Sequence, residues 1–365
     1  MPRRVAAVVE QSWHRVPGGT AISTVRTLDA IARRPDWDVV GLAAWHRGAP
    51  DAVAVPTVPV VHHRLPRRAL YEAWQRWRRP SVQRRTGPVD VIHATGGVVP
   101  PAGGAALVVT LHDLAFLRRP EHFTAHGVAF MMRAFALAKA EADLIIVPSE
   151  STAAECRDHG IDTNRLRVVP WGVTPASVTP IDRERVAARH GLPEDFVLWV
   201  GSAEPRKNLH GLVAAARDAD LALPLVLAGP QGWDVDIGAL LAESPPGTRH
   251  LGVVDPADLP ALMEMATAFV YPSFQEGFGM PVLEAMAQGT AVITSRGTAT
   301  EEVAGDAALL VEPEDRAALG DALRAISEDS ELRGRLGGEG RARAAAFSWD
   351  TTAAVTEAVY DEAST

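Results

Sequence analysis

Short runs of β-branched and aliphatic residues alternate with longer amphipathic stretches along almost the whole chain, and few folds accommodate that rhythm. The strand-like runs fall at residues 5–9, 39–43, 89–93, 107–111, 144–147 and 167–169. They resume at 196–200, 225–228, 248–251, 268–271, 291–294 and 308–311. Helical periodicity predicts helices between them, over 22–32, 127–142, 208–216, 256–265, 281–288 and 316–329. Strands separated by helices of this length argue for parallel sheets built from βαβ units. Six strands on either side of a gap predict two doubly wound α/β domains, and 365 residues suffice for two cores. The gap, WGVTPASVTPID at 171–182, contains two prolines and no clear period, and reads as a linker.

In open parallel sheets ligands sit beyond the carboxyl ends of the strands, so motifs that follow strand ends carry the chemistry. YPSFQEGFGMPVLEAMAQGT (271–290) is the most informative of these. A strand ends at Tyr271, an acidic glycine-containing loop follows, and Pro281 suits a first helical turn. The glycines admit close backbone approach, and the helix start offers unpaired N–H groups to an anion. Glu276 and Glu284 can each accept hydrogen bonds from vicinal hydroxyls, as on a ribose or hexose; the plainer alternative is a turn carboxylate and one stabilised by the helix dipole. WVGSAEPRKNL (199–209) also follows a strand, with Gly201 in the turn and Arg206 beside Lys207 before the next helix. Adjacent Arg and Lys suit a diphosphate, one as a fork and the other as a point charge. VPGGTAIST (16–24) sets Gly18 and Gly19 at a helix start after the first strand, either a phosphate- or sugar-admitting turn or a plain one. LVVTLHDLAF (107–116) places His112 and Asp113 at a strand end, where the pair is structural or the imidazole donates a hydrogen bond to a sugar hydroxyl or polarises a nucleophile.

Charge separates the halves. Residues 1–172 hold 22 Lys/Arg against 15 Asp/Glu, and residues 173–365 hold 14 against 30. The net charge of −9 argues against a dedicated nucleic-acid binder, while the split suggests units with different partners. The basic excess is concentrated in 62–85, with eight arginines opposed by Glu72 alone. No apolar run approaches the roughly 18 residues of a membrane-spanning helix, 128–138 being short and broken by Arg133. The first residues read as a strand rather than a secretion signal, and the single cysteine, Cys156, rules out an intramolecular disulfide. A cytoplasmic protein is expected.

Together these segments resemble the retaining glycosyltransferases of the GT-B fold, family 4, with their E-x7-E pattern. The resemblance runs nearly the whole chain, through PGGT, HDLAF, VPSEST, VVPWGV, GSAEPRKN, YPSFQEGFGMPVLEAMAQGTAVITS, EVAGDAALLVEP and FSWDTTAAVTEAVY. It implies two Rossmann-like doubly wound domains facing across an interdomain cleft: an acceptor-binding domain over 1–172, a nucleotide-sugar donor domain over 173–345, and a terminal helix over 346–365 crossing back to the first. Carried over residue by residue, Arg206 and Lys207 hold the donor diphosphate, and Glu284 the ribose hydroxyls. Glu276 holds a donor-sugar hydroxyl, and Gly277, Phe278, Gly279 and Met280 present backbone amides. Gly201 shapes the turn, Gly18 and Gly19 close over the donor, His112 lies near the reacting carbon, and Val253 and Val254 in GVVDPADL line the base pocket. Transfer then retains anomeric configuration by front-face displacement, without a metal and without a cofactor beyond the donor itself. His62–His63 and His122/His126 have ligand-like spacings but lack companion carboxylates or cysteines. Where the family often has Asn, this chain has Trp171, a departure that bears on the hinge.

The acceptor side is less legible. LYEAWQRWRR (70–79) spaces Tyr71, Trp74 and Trp77 three apart among arginines, either an interfacial helix for anionic lipid, a site for a phosphorylated acceptor, or an aromatic face packed on the core with its arginines in solvent. The expected acceptor is a saccharide, lipid-linked or small molecule, the expected donor sugar mannosyl above other hexosyls. A glycoside phosphorylase of the same fold, or a non-catalytic nucleotide-sugar binder, is the alternative; a nicotinamide dehydrogenase is disfavoured because Val282 stands where a third glycine belongs after Gly277 and Gly279.

Overall fold

The computed structural model describes residues 2–14, 17–232 and 234–365. The chain divides into two compact units, Met1–Gly172 with Ser348–Thr365, and Val173–Phe347. Each is a parallel α/β sheet covered by helices.

The first sheet holds β1 (Arg3–Val8), β2 (Trp37–Trp45), β3 (Val60–Pro66), β4 (Val91–Ala94), β5 (Ala106–Thr110), β6 (Leu144–Val147) and β7 (Leu166–Val168). Their spatial order is β3-β2-β1-β4-β5-β6-β7, every pairing parallel. Strands such as Leu144–Val147 are buried at every position, as expected where helices cover both faces. The sheet has seven strands where six were expected. The additional one, β3, reads VVHHRLP, and its two histidines and arginine hide the apolar alternation. His62 nevertheless bonds the Ala44 carbonyl through Nδ1 at 2.8 Å, and His63 is buried against the edge of Trp74.

The aromatic face expected over 70–79 does not form. A helix over Arg67–Glu72 widens into a π-turn at Ala73–Trp77, which rotates successive side chains out of register. Trp74 is 1% exposed, with its indole N–H on the Pro80 carbonyl at 2.9 Å, whereas Trp77 is 69% exposed. Tyr71 stacks on Phe130.

The terminal helix Trp349–Ala363, capped by Ser348, packs on the helix Gly18–Ala32 and completes the first unit. Its fully buried Tyr360 bonds His93 Nδ1 at 2.7 Å, and His93 Nε2 meets the Thr110 hydroxyl at 2.7 Å. Burial pushes the His93 imidazole down to about 3, so it is neutral and donates one bond while accepting the other. Ion pairs Arg33–Asp350, Arg34–Glu357, Arg3–Asp361 and Arg167–Glu362 fasten the helix along its length.

The second sheet holds β8 (Val197–Val200), β9 (Leu225–Ala228), β10 (Arg249–Gly252), β11 (Ala268–Tyr271), β12 (Val292–Ser295) and β13 (Leu309–Val311), in the order β10-β9-β8-β11-β12-β13. All its pairings are parallel. The stretch read as a linker already contains a helix start: Thr179 and Asp182 form a reciprocal capping box for Pro180–His190. Chain order reverses between β1 and β4 in the first sheet and between β8 and β11 in the second. At such points neighbouring strand-end loops part in opposite directions and leave a crevice.

Candidate functional site

The reversal in the second sheet brings two sequence motifs together. The loop after β8 carries Arg206 and Lys207 in a short turn, Pro205–Lys207, and the loop after β11 carries Glu276. The loops are stitched by a backbone bond from Phe274 N–H to the Arg206 carbonyl at 2.9 Å. Glu276 bridges both cations, meeting Arg206 Nη1 at 3.1 Å through Oε2 and Lys207 Nζ through Oε1. Lys207 Nζ also bonds the Tyr271 hydroxyl, and it lies 4.9 Å from the centroid of that ring. Asn208, in a left-handed conformation at φ 57°, ends the turn and ties its side-chain amide to the Pro313 carbonyl at 2.7 Å.

Lys207 and Glu276 are nearly dry, their side chains each 9% exposed, and Arg206 is 21% exposed. Burial alone would push the Glu276 carboxyl up; the Lys207 and Arg206 charges overcome it and hold the group down at about 2. Burial and then the Arg206 charge lower the Lys207 ammonium from the ordinary lysine range, against the pull of Glu276. Tyr271, fully buried, has its hydroxyl pushed far up and stays neutral. The result is a buried lysine and a partly buried arginine bridged by Glu276, with Glu204 also paired to Arg206 Nε at 3.0 Å, two cations placed side by side where a diphosphate could be received.

Gly279 starts the helix Met280–Gln288 at φ 104°, a backbone conformation side-chain-bearing residues avoid, and a Cβ there would come within 2.7 Å of Thr300. Phe278 and Met280 bury their side chains, Phe278 edge-on to Phe347, so they offer a ligand their backbone. Gly277 lies between them and Glu276. Glu284, half-buried one turn into the helix, is outside the ion-paired trio; burial raises its carboxyl to about 7. Gly201 leaves β8 over the Trp199 ring, at 3.2 Å from a would-be Cβ. In the loop after β10, Val253 is 75% exposed while Val254 packs inward, so only one of the pair presents a side chain. Tyr271 escaped the sequence reading, although a tyrosine closing the buried strand AFVY must find its hydroxyl a partner.

Gly18, Gly19 and His112 belong to the first unit. Gly18 opens the helix Gly18–Ala32 at φ 62°, whereas Val16, the first residue of the motif, lies outside the described residues. His112 and Asp113 do not pair. His112 Nε2 donates to the Thr95 carbonyl at 2.6 Å, and Asp113 Oδ1 accepts from Ala115 N–H at 3.0 Å. Burial pushes His112 down, and its Nδ1 is buried with no partner among the described residues. The imidazole can therefore only accept at Nδ1, which corrects the expectation that it donates to a sugar hydroxyl. Trp171 rests on this ring, centroids 5.2 Å apart, so the departure at that position bears on His112. Among the described residues no three His, Cys, Asp or Glu side chains gather as a metal would require; the His122 side chain lies outside them. No helix among them is long and apolar enough to cross a membrane.

Two family models match, "Glycosyltransferase Family 4" over residues 17–177 and "Glycosyl transferases group 1" over residues 181–343. The chain is similar to the O-antigen chain mannosyltransferase B of Escherichia coli, 33% identical over 69% of each protein. It is also similar to the D-inositol 3-phosphate glycosyltransferase of Acidothermus cellulolyticus, 30% identical over 99% of this chain and 91% of the relative. Among solved structures, the sucrose-phosphate synthase of Thermosynechococcus elongatus aligns with TM-score 0.78 at 24% identity, over 99% of this chain and 98% of that one. Anabaena HepE in complex with UDP and glucose aligns with TM-score 0.76 at 18% identity, over 99% and 100%. The two Rossmann-like sheets are thus those of the GT-B fold, and the chain belongs to glycosyltransferase family 4, the group 1 glycosyl transferases.

Proposed function

We propose that this glycosyltransferase moves a hexosyl unit, mannosyl in preference to others, from a nucleotide-diphosphate sugar to a saccharide, lipid-linked or small-molecule acceptor with retention of configuration. The observation that carries the reading is the buried Arg206–Glu276–Lys207 cluster at the reversal point of the second sheet. Two relatives are named as mannosyltransferases, and the Anabaena structure holds UDP and glucose.

In this reading the diphosphate takes the place of Glu276 as counter-ion to Arg206 and Lys207, and the freed carboxylate receives a hydroxyl of the donor sugar. The bond from the anomeric carbon to the diphosphate oxygen breaks as the acceptor oxygen forms its bond on the same face. The acceptor proton passes to the departing diphosphate. The chain supplies orientation and fixed positive charge, the two largest contributions open to a site without a nucleophile. Arg206 and Lys207 neutralise the leaving group as a divalent metal would, and activity is expected to survive chelation.

Glu284 gives the reading a pH signature. Its carboxyl titrates at about 7, so the ionised form that accepts from two ribose hydroxyls prevails only above neutrality. Calorimetry of UDP and GDP should show the better ligand binding about tenfold tighter at pH 8 than at pH 6. Glu284→Ala should weaken binding and abolish the difference; unaltered affinity in that variant removes the ribose role. The sign for stability is opposite. The folded chain keeps this proton up to about 7 where the unfolded chain releases it near 4.5, so the native state loses stability as pH rises between the two.

The first unit also presents a basic face. Trp77 projects into solvent beside Arg79 and Arg84 around an open groove of about 1120 Å3, whereas Arg78 on its lining is committed to the Trp74, Val99 and Pro100 carbonyls and to Glu141. Such a surface suits peripheral contact with an anionic membrane, from the cytoplasmic side. Phosphatidylglycerol vesicles should retain the protein at low salt and release it at high salt; vesicles that fail to retain it dismiss the contact.

A further inference from the structure

The first unit contains a cavity of about 280 Å3 at the carboxyl ends of β4 and β5, beside its own reversal point. Its floor is apolar, formed by Val98, Phe116, Met131 and Phe135. Its polar side chains are Gln11, His14, Thr20, Thr110, His112 and Asp113, and among them His112 and Asp113 hold acceptor atoms without a partner among the described residues. His112 has committed its N–H to the Thr95 carbonyl and offers the bare Nδ1. Asp113 has one carboxylate oxygen fixed by Ala115 N–H, which holds the side chain in place, and Oδ2 accepts from no described residue. His14, on the same wall, is pushed down to about 4 by burial and by the Arg67 and His46 charges, and carries no charge near neutrality. Arg67 itself does not line the cavity, and among the described residues no lysine or arginine does.

Two hydrogen-bond acceptors, one of them anionic, are complementary to hydroxyl donors. They are the wrong partners for a phosphate, whose oxygens only accept at neutral pH and whose charge the carboxylate repels most strongly against a low-dielectric wall. Resting on the reading of this unit as the acceptor side, we propose that the cavity takes an uncharged saccharide, its hydroxyls toward Asp113 and His112 and an apolar substituent on Phe116, Met131 and Phe135. Asp113 is the residue that discriminates against phosphorylated acceptors.

The test is a binding comparison by calorimetry, with and without saturating nucleoside diphosphate, using p-nitrophenyl mannoside, glucoside and galactoside against mannose 6-phosphate, glucose 6-phosphate and myo-inositol 3-phosphate. At least one nitrophenyl hexoside should bind at least about tenfold tighter than every phosphate, a difference one repelled charge readily supplies. Asp113→Asn, which keeps the shape and removes the charge, should narrow that ratio by weakening the hexoside and strengthening the phosphates; Asp113→Ser serves if the amide does not fold. The inference is overturned if a phosphate binds as tightly as the best hexoside, if no hexoside binds, or if the ratio is unmoved in a folded Asp113 variant. Nucleoside diphosphate affinity is read in the same titrations. Its absence counts against the donor site in the second unit, while preferred phosphate binding beside normal nucleotide binding overturns this inference and leaves the donor site standing.

Discussion

Lys207→Ala and Arg206→Ala should each lower kcat/KM by about 30- to 1000-fold, a loss of about 2–4 kcal/mol of transition-state stabilisation. The size follows from burial. Lys207 is 7% exposed and fixed by Tyr271 and Glu276, so its charge acts on a leaving diphosphate with little screening by water. A charge on a flexible surface lysine would contribute far less. Steady-state kinetics on the two folded variants checks this, and turnover equal to that of the parent in both removes the diphosphate seat.

Glu276→Gln should separate binding from turnover. In the ligand-free state Glu276 pairs with both cations, beside Glu204 on Arg206, and competes with any anion that approaches them. An amide of the same shape removes the larger part of that competition, so UDP or GDP should bind about tenfold tighter while transfer slows by at least as much. Transfer slows because the sugar loses a charged hydrogen-bond acceptor, and because a tightly held product leaves late. Calorimetry beside initial-rate measurement distinguishes this from mere damage, which would weaken both. Weaker nucleotide binding by a folded Glu276→Gln protein would show that the carboxylate is a structural strut instead.

The rhythm of strands and helices was legible because parallel strands buried on both faces are apolar throughout, and short runs such as LIIV and AFVY recur between longer helical stretches. The strand VVHHRLP was illegible for the converse reason: its histidines are accommodated by residues distant in sequence, His62 bonding the Ala44 carbonyl and His63 packing edge-on against the Trp74 ring. The face of Tyr71, Trp74 and Trp77 was misread because a three-residue spacing assumes a uniform helical pitch, and the π-turn breaks it. In the candidate site, the residue types and their place after strand ends were readable. The direct contact of Glu276 with both cations was not, since it depends on β8 and β11 being neighbours across a reversal in strand order. Nor was the tautomer of His112, which the Thr95 carbonyl decides from seventeen residues away.

The terminal helix has a consequence for how the protein is made. Tyr360 closes over His93, and Arg34 and Arg167 find their carboxylates at Glu357 and Glu362, at the far end of the polypeptide. During synthesis the amino-terminal unit therefore emerges from the ribosome with its Trp37–His93 flank uncovered, and stays so while the whole of Val173–Phe347 is translated. The carboxyl-terminal unit is contiguous in sequence and needs no such delay. A nascent chain should accordingly gain protease resistance in reverse order, the later half first, and a stop codon before Trp349 should leave the earlier half as the part that chaperones and proteases recognise.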